Sequence, residues 1–305
     1  MHGGSLYYTE FDADSVHRVC ALFGVEAVQQ HHHPSETYVL PCGSGPCGLA
    51  HCVGLVLTGP DVVVTCYGSH ELRALSSGRT LHRLPYPNDA CADGGYGGLF
   101  VTSSGQLGEG DPFRPAAPAS GAVYHLSPCG ALLRPLTQPC IHYANGVVFD
   151  GASSRLFVSE HLRNRILVYK VKRDAAMLPR PFSGAPPRFI ELGMMSPCAA
   201  IPLLGPDGLA LDEDGRTLYV AHFGGGAVLK IDTDSGALVA RINAEGGLLN
   251  VTNVAVARPA SATAPALLVI TAAGGARAGS PDGAGSVGIR RSTSTTSWPL
   301  RPLFP

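Results

Sequence analysis

The chain has 305 residues, a formal net charge of −1 and 45% hydrophobic residues, enough to bury a sizeable core as one large domain or two. The near-neutral balance argues against nucleic acid and anionic membrane as partners, and no run of about 18 apolar residues is present to span a membrane. With 38 glycines and 25 prolines the chain is turn-rich, but its apolar content argues against general disorder.

The N-terminus, MHGGSLYYTEFDADS, lacks the charged start and apolar block of a signal peptide. Nine cysteines follow no disulfide or zinc spacing. The densest cluster, CGSGPCGLAHC with Cys42, Cys47, His51 and Cys52, reads as small residues in a reducing cytosol. A cytoplasmic location is therefore expected. QQHHHPSE reads as an exposed loop.

Short runs rich in Val, Leu, Tyr and Phe, cut by Gly, Asp and Pro, predict antiparallel strands rather than helices. In chain order they form copies of one unit. GGSLYYTEFDADSVHRV matches the second and third strands of that unit, and PCGLAHCVGLVLTGPDVVVTCYGSHELRAL is a weaker full copy. Three clear copies follow: PNDACADGGYGGLFVTSS with GAVYHLSP, then ANGVVFDGASSRLFVSEHLRNRILVYKV, then PDGLALDEDGRTLYVAHFGGGAVLKID. A last, weaker copy is VTNVAVARPASATAPALLVITAAGG with GSVGI. Asn88 to Leu99, Asn145 to Leu156 and Asp207 to Leu218 are each 11 residues apart. Copies begin near 47, 88, 145, 207 and 253, a period of roughly 40 to 60 residues that predicts a β-propeller.

The fold class expected is thus all-β, a six-bladed β-propeller whose first blade lacks its innermost strand. Leu6 aligns with Leu218, so the first key position falls before Met1, as in an N-terminally shortened chain. One domain is expected over 1–290, with a poorly ordered tail at 291–305. LGEGDPFRPAAPASG and AAMLPRPFSGAPPRF read as insertions shaping one mouth.

In a propeller the first strand of each blade lines the central channel, so the residues at the starts of those strands form a ring. Here the ring reads Cys47, Asn88, Asn145, Asp207 and Asn253. Amides and a carboxylate converging on an axis suit a hard divalent cation. The second strands end at the same mouth with Glu10, Ser103, Glu160 and His222, and His222 is a candidate acid or base.

YPNDACAD, YANGVVFD, GPDGLALDEDGRTLYVAHFGGG and VTNVAVA with LLVITAA resemble the SMP-30/gluconolactonase/luciferin-regenerating-enzyme family over nearly the whole chain. The resemblance implies a six-bladed propeller holding one divalent cation, Ca²⁺ foremost, with Zn²⁺, Mg²⁺ and Mn²⁺ as alternatives. It implies Asn145 and Asp207 as metal ligands and Asn88 beside both metal and substrate. Two departures stand out: the family's first-blade glutamate has no counterpart, and Tyr86 replaces an arginine that many members carry.

The expected function is metal-dependent hydrolysis of a sugar lactone or similar small ester. Asp207 would be both ligand and base, with Asn88, His222 and Glu160 at the substrate. No G-x-S-x-G or Cys/His arrangement suggests a covalent nucleophile. Because the first-blade glutamate is absent, the alternative is a catalytically impaired propeller that binds a ligand or protein. A lesser reading is organophosphate ester hydrolysis by the same cation. The partner expected is a small-molecule lactone, with neither nucleic acid nor membrane.

Overall fold

The computed structural model describes residues 6–10, 15–19, 36–39, 52–58, 61–105, 119–128, 130–182, 188–193, 204–244, 250–257, 267–272 and 286–291. These residues carry 22 strands and two single 3₁₀ turns, and the strands form six antiparallel sheets in chain order. The first sheet is β1 (Leu6–Glu10), β2 (Ser15–Val19) and β3 (Glu36–Val39). The second is β4 (Cys52–Thr58), β5 (Asp61–Cys66), β6 (Glu71–Ala74) and β7 (Thr80–Arg83). The third comprises β8 (Pro87–Ala92), β9 (Leu99–Ser103), β10 (Ala122–Leu126) and β11 (Leu133–Pro135). The fourth comprises β12 (Ala144–Asp150), β13 (Arg155–Glu160), β14 (Arg165–Lys170) and β15 (Arg188–Glu191). In the fifth, β16 (Gly205–Leu211), β17 (Thr217–Phe223), β18 (Ala227–Asp232) and β19 (Leu238–Asn243) follow one another. The sixth has β20 (Val251–Ala257), β21 (Leu267–Ala272) and β22 (Ser286–Arg291).

Each sequence repeat is therefore one up-and-down sheet. The first strands of successive sheets, β4, β8, β12, β16 and β20, pack side by side. Cys42, Cys47, the histidine run, most of the first proline-rich insertion, residues 183–187 of the second and residues 292–305 lie outside the described residues. Strand β22 runs to Arg291, one residue into the segment read as a tail.

The core is a series of apolar layers between neighbouring sheets. Successive side chains of a strand point to opposite faces, and here both faces are covered. On β13, Leu156 and Val158 pack toward the third sheet with Phe100 and Val123. Phe157, between them, packs toward the fifth sheet with Leu209, Leu218 and Val220. Strand β17 repeats this, with Leu218 and Val220 on one side and Tyr219 and Ala221 on the other. Burial on both faces is why LFV, LFV and LYVA are unbroken apolar runs rather than alternating ones.

At the far end of the third sheet, the fully buried Asp93 joins it to the chain following β14. His125 Nε2 lies 2.8 Å from its Oδ2, and Arg173 pairs with both carboxylate oxygens while its guanidinium stacks 3.7 Å from the Tyr96 ring centre. Burial raises the Asp93 carboxyl, but these hydrogen bonds outweigh it and hold the group below its usual value. Such a depressed carboxyl adds stability above its unfolded pKa of about 4, and that stability is lost as pH falls through the folded value. Arg173→Ala should therefore cost about 3 kcal/mol at pH 7 by stranding a buried charge. The cost should shrink below about pH 4, which melting curves at pH 7 and 3.5 would reveal; an unchanged melting temperature at pH 7 would contradict it.

Candidate active site

Every first strand from the second sheet onward carries a β-bulge at the same place. In the third sheet Pro87 pairs with Ser103 and Ala90 with Val101, so Asn88 and Asp89 together face Thr102. In the fourth, Ala144 pairs with Glu160 and Val147 with Val158, setting Asn145 and Gly146 against Ser159. In the fifth, Pro206 pairs with His222 and Leu209 with Val220, setting Asp207 and Gly208 against Ala221. The extra residue bends the strand and re-aims its side chains.

The register corrects two members of the predicted ring. In the second sheet the slip lies between Cys52 and Gly54, so Val53 holds the ring position rather than Cys47, which is not among the described residues. In the sixth it lies between Val251 and Asn253, which gives the ring position to Thr252 and makes Asn253 the second bulge residue. Asn253 is then the counterpart of Asp89: each caps the following amide, Val254 N at 2.8 Å and Ala90 N at 2.9 Å. An asparagine sequence alignment cannot see the bulge, and so slips by one.

The bulges lock together. Thr65, opposite the second-sheet bulge, donates to the Asn88 carbonyl. Thr102 donates to the Asn145 carbonyl at 2.6 Å, and Ser159 to the Asp207 carbonyl at 2.7 Å. Asn88, Asn145 and Asp207 are thus each held by a hydroxyl of the preceding sheet. The second bulge residues nest equally closely: a Cβ on Gly146 would meet the Asp207 carbonyl and come within 2.9 Å of Gly208 Cα. Only glycine permits that approach.

Asp207, Asn145, Asn88 and Asp89 meet at this ring. The Asn145 side chain hydrogen-bonds the Asp207 carboxylate. Burial, then repulsion from Asp89, pushes the Asp207 carboxyl well above its usual value. Asp89 is 9% exposed, accepts from Val147 N at 3.1 Å, and is raised by burial to about 6. Asn88 donates through Nδ2 to Ser104 Oγ at 2.8 Å.

Aromatic side chains border these groups. Tyr86 and Tyr143, each two residues before a ring asparagine, have φ of 48° and 61°, and His70 has 60°. Left-handed backbone in bulky residues is uncommon and costs energy that the surrounding packing must supply. The Tyr143 hydroxyl hydrogen-bonds both Ser104 and Tyr67, and burial, then Tyr67 and Asp207, raise its pKa strongly. Burial and Tyr86 raise Tyr67 to about 12.

The other two predicted substrate residues bond to groups outside the ring, His222 through Nε2 alone with its buried Nδ1 unpartnered. Glu160 accepts from His142 N at 3.0 Å and from Arg165 Nε at 2.6 Å, with His142 Nδ1 at 2.9 Å. His222, fully buried, has its Nε2 2.8 Å from Asn164 Oδ1. Burial, then Arg241 and His161, lower its pKa to about 4, so it is neutral at pH 7. Asp89, Tyr67, Tyr143 and Ser104 were not predicted. The Tyr-x-Asn shared by YPN and YAN is the sequence signal for Tyr86 and Tyr143, and the hydroxyl shared by VVVT, LFVT and LFVS is the signal for Thr65, Thr102 and Ser159, while Asp89, Tyr67 and Ser104 carry none.

Among the described residues no three His, Cys, Asp or Glu side chains are placed to hold a metal. The donors brought together are two amides and two carboxylates, an all-oxygen set whose crowded negative charge fits a hard divalent cation.

The model of the SMP-30/gluconolactonase/LRE-like region matches residues 1–273. The chain belongs to this family. Among solved structures, a luciferin-regenerating enzyme has a TM-score of 0.64 at 19% identity, covering 96% of this chain and 88% of its own. A calcium-binding regucalcin from Agrobacterium tumefaciens strain C58 has a TM-score of 0.60 at 20% identity, covering 88% and 78%. A chain of a nidogen/laminin complex reaches 0.60 at 16% identity, covering 83% and 80%. A search of curated protein sequences found no match. At these identities the structural likeness speaks to the fold, and family and neighbours together imply a propeller built of the antiparallel sheets described above.

Proposed function

We propose that this SMP-30/gluconolactonase family member is a divalent-cation-dependent hydrolase of a lactone or similar small ester. The observation that carries the reading is the meeting of Asn145, Asp207, Asn88 and Asp89 at matching bulges of adjacent sheets, with the Asp207 carboxyl raised. In this reading each sheet is one blade of a six-bladed propeller. Among the described residues the first blade carries β1–β3, which the Leu6–Leu218 alignment matches to the second and later strands of the unit.

Asn145 and Asp207 would hold the cation through oxygen, with Asn88 beside them; Ca²⁺ is the first choice. Bound there, a divalent cation supplies polarisation of the ester carbonyl and charge stabilisation. Asn88 has its amide nitrogen committed to Ser104, so its oxygen is the atom that orients substrate. Asp207 accepts the proton of the attacking water, a role open to a buried carboxylate at the site. Water adds to the carbonyl carbon, the ring C–O bond breaks, and the proton passes to the leaving oxygen to give the hydroxy acid. In this reading the chain works in the cytosol, where the Cys91 and Cys140 thiols would stay reduced. Among the described residues no helix is long and apolar enough to cross a membrane.

The test is titration of Ca²⁺, Mg²⁺, Mn²⁺ and Zn²⁺ into chelated protein while following lactone hydrolysis in a pH-stat. Hydrolysis should require the cation, and Asn145→Ala should raise the concentration needed by about tenfold or more, roughly one ligand's share of affinity. Hydrolysis that survives chelation would overturn the mechanism.

A further inference from the structure

We propose that Tyr67, Tyr86 and Tyr143 form a specificity wall that selects lactones or esters carrying an apolar, preferably aromatic, ring over polyhydroxylated or anionic ones. The inference rests on the hydrolase reading above and names its substrate class.

The three tyrosines form one surface. Tyr67 and Tyr86 have ring centres 5.5 Å apart at 52°, and His70 tilts against Tyr86 at 4.4 Å. Tyr143 joins Tyr67 through their hydroxyls and sets its edge against His161 at 5.6 Å. These separations are those at which aromatic rings attract one another. The surface adjoins the ring of oxygen donors: Tyr143 shares Ser104 with Asn88 and senses the charge of Asp207. Tyr67, His70, Tyr86 and Tyr143 all keep part of their surface exposed.

The hydroxyls of Tyr67 and Tyr143 are engaged within the protein, which leaves their ring faces to meet a substrate. The two hydroxyls bond each other, Ser104 is taken by Tyr143, Asn88 and the Ala144 carbonyl, and Asn88 Nδ2 is spent on Ser104. Recognising a polyol requires donors and acceptors that are not already paired. Three cations at this end are likewise committed, while Arg163 lies 3.2 Å from His142 Nε2. Arg73 and Arg83 pair with Glu71 at 2.6 and 3.0 Å, and Arg165 pairs with Glu160 at 2.6 Å. An anionic substrate would have to compete for those cations, whereas a flat apolar ring needs only the exposed faces. The left-handed backbone of Tyr86 and Tyr143 fixes two of the three rings two residues before the asparagines that border the reacting ester.

The full chain, loaded with the activating cation, is assayed on dihydrocoumarin and on glucono-δ-lactone, together with Tyr86→Asn and Tyr86→Phe. Asparagine tolerates the left-handed backbone but has no ring face; phenylalanine keeps the face and loses the hydroxyl. Wild type should favour dihydrocoumarin by about tenfold or more in kcat/KM, the scale of discrimination an apolar pocket supplies. Tyr86→Asn should erase that preference through KM, and Tyr86→Phe should keep it. A preference for glucono-δ-lactone, or a Tyr86→Asn loss equal on both substrates, would overturn the proposal. If neither substrate is hydrolysed, the hydrolase reading fails and the wall is tested alone by calorimetric titration with coumarin. Binding that weakens about tenfold in Tyr86→Asn but not in Tyr86→Phe supports the wall; absent or equal binding overturns it.

Discussion

Replacing Asp207 by asparagine should lower lactone hydrolysis by about 10³-fold, the range associated with losing a positioned acid or base, while leaving the cation-free protein at least as stable at pH 7. The two halves have one cause. Burial and Asp89 raise the Asp207 carboxyl, so ionising it costs the folded state more than the unfolded chain. A raised carboxyl contributes its stability below the unfolded pKa of about 4 and loses it as pH rises. Asparagine has the same shape, can still accept from Asn145, and never ionises, so the repulsion from Asp89 disappears along with the proton acceptor. Activity and thermal melting measured on one preparation would check this. Full turnover, or a melting temperature that collapses, would remove Asp207 from the role proposed.

Gly146→Ala is expected to be among the most damaging single methyl groups in the chain, costing about 3 kcal/mol or more because the bulges cannot separate without breaking their bonds. Its Cβ would meet the Asp207 carbonyl and sit 2.9 Å from Gly208 Cα and 3.0 Å from its carbonyl carbon. All three are backbone, so no flexible side-chain end can move away. Gly151→Ala is the control: its Cβ would meet nothing nearer than Phe149 Cε1 at 3.9 Å, and the change should stay within about 0.5 kcal/mol. Thermal melting of the pair separates a clash from a general intolerance of alanine. If Gly146→Ala melts like Gly151→Ala, the close nesting of the bulges is wrong.

The architecture was legible because its signal is periodic. The 11-residue offset from Asn88, Asn145 and Asp207 to Leu99, Leu156 and Leu218 is the distance from a bulge to the second strand of the same sheet. Those three residues were found for the same reason, since each precedes a copy of one strand. The sixth sheet was misread by one residue because the amide is displaced there: VTNVAV carries Thr252 at the ring position and Asn253 at the second bulge position. Asp89 was passed over beside the more conspicuous Asn88, and only its bond to Val147 N reveals that its carboxylate crosses to the next sheet. Glu160 and His222 were read as second-strand ends, and each pairs with the residue just before a bulge. Their partners, Arg165, His142 and Asn164, come from turns and neighbouring strands that sequence does not place. The Tyr86 and Tyr143 backbones carry a conformation that no residue name announces.

The hydroxyls of Thr65, Thr102 and Ser159 have a meaning beyond the bonds they make. Each belongs to one repeat yet grips the ring carbonyl of the following one, so a repeat carries the socket for its successor rather than the clasp for itself. A duplicated copy inserted into such a chain arrives already able to seat the next copy, and the ring lengthens without redesign of either neighbour. The relay stops at the fifth sheet, where the matching position is Ala221 and the contact with the sixth passes instead through Gly208 and Asn253. The site is consequently a property of the succession of repeats. Thr102, which is not itself a ring residue, governs where Asn145 of the next sheet is held, and inheritance of the proposed chemistry would run through the order of the copies as much as through Asp207 itself.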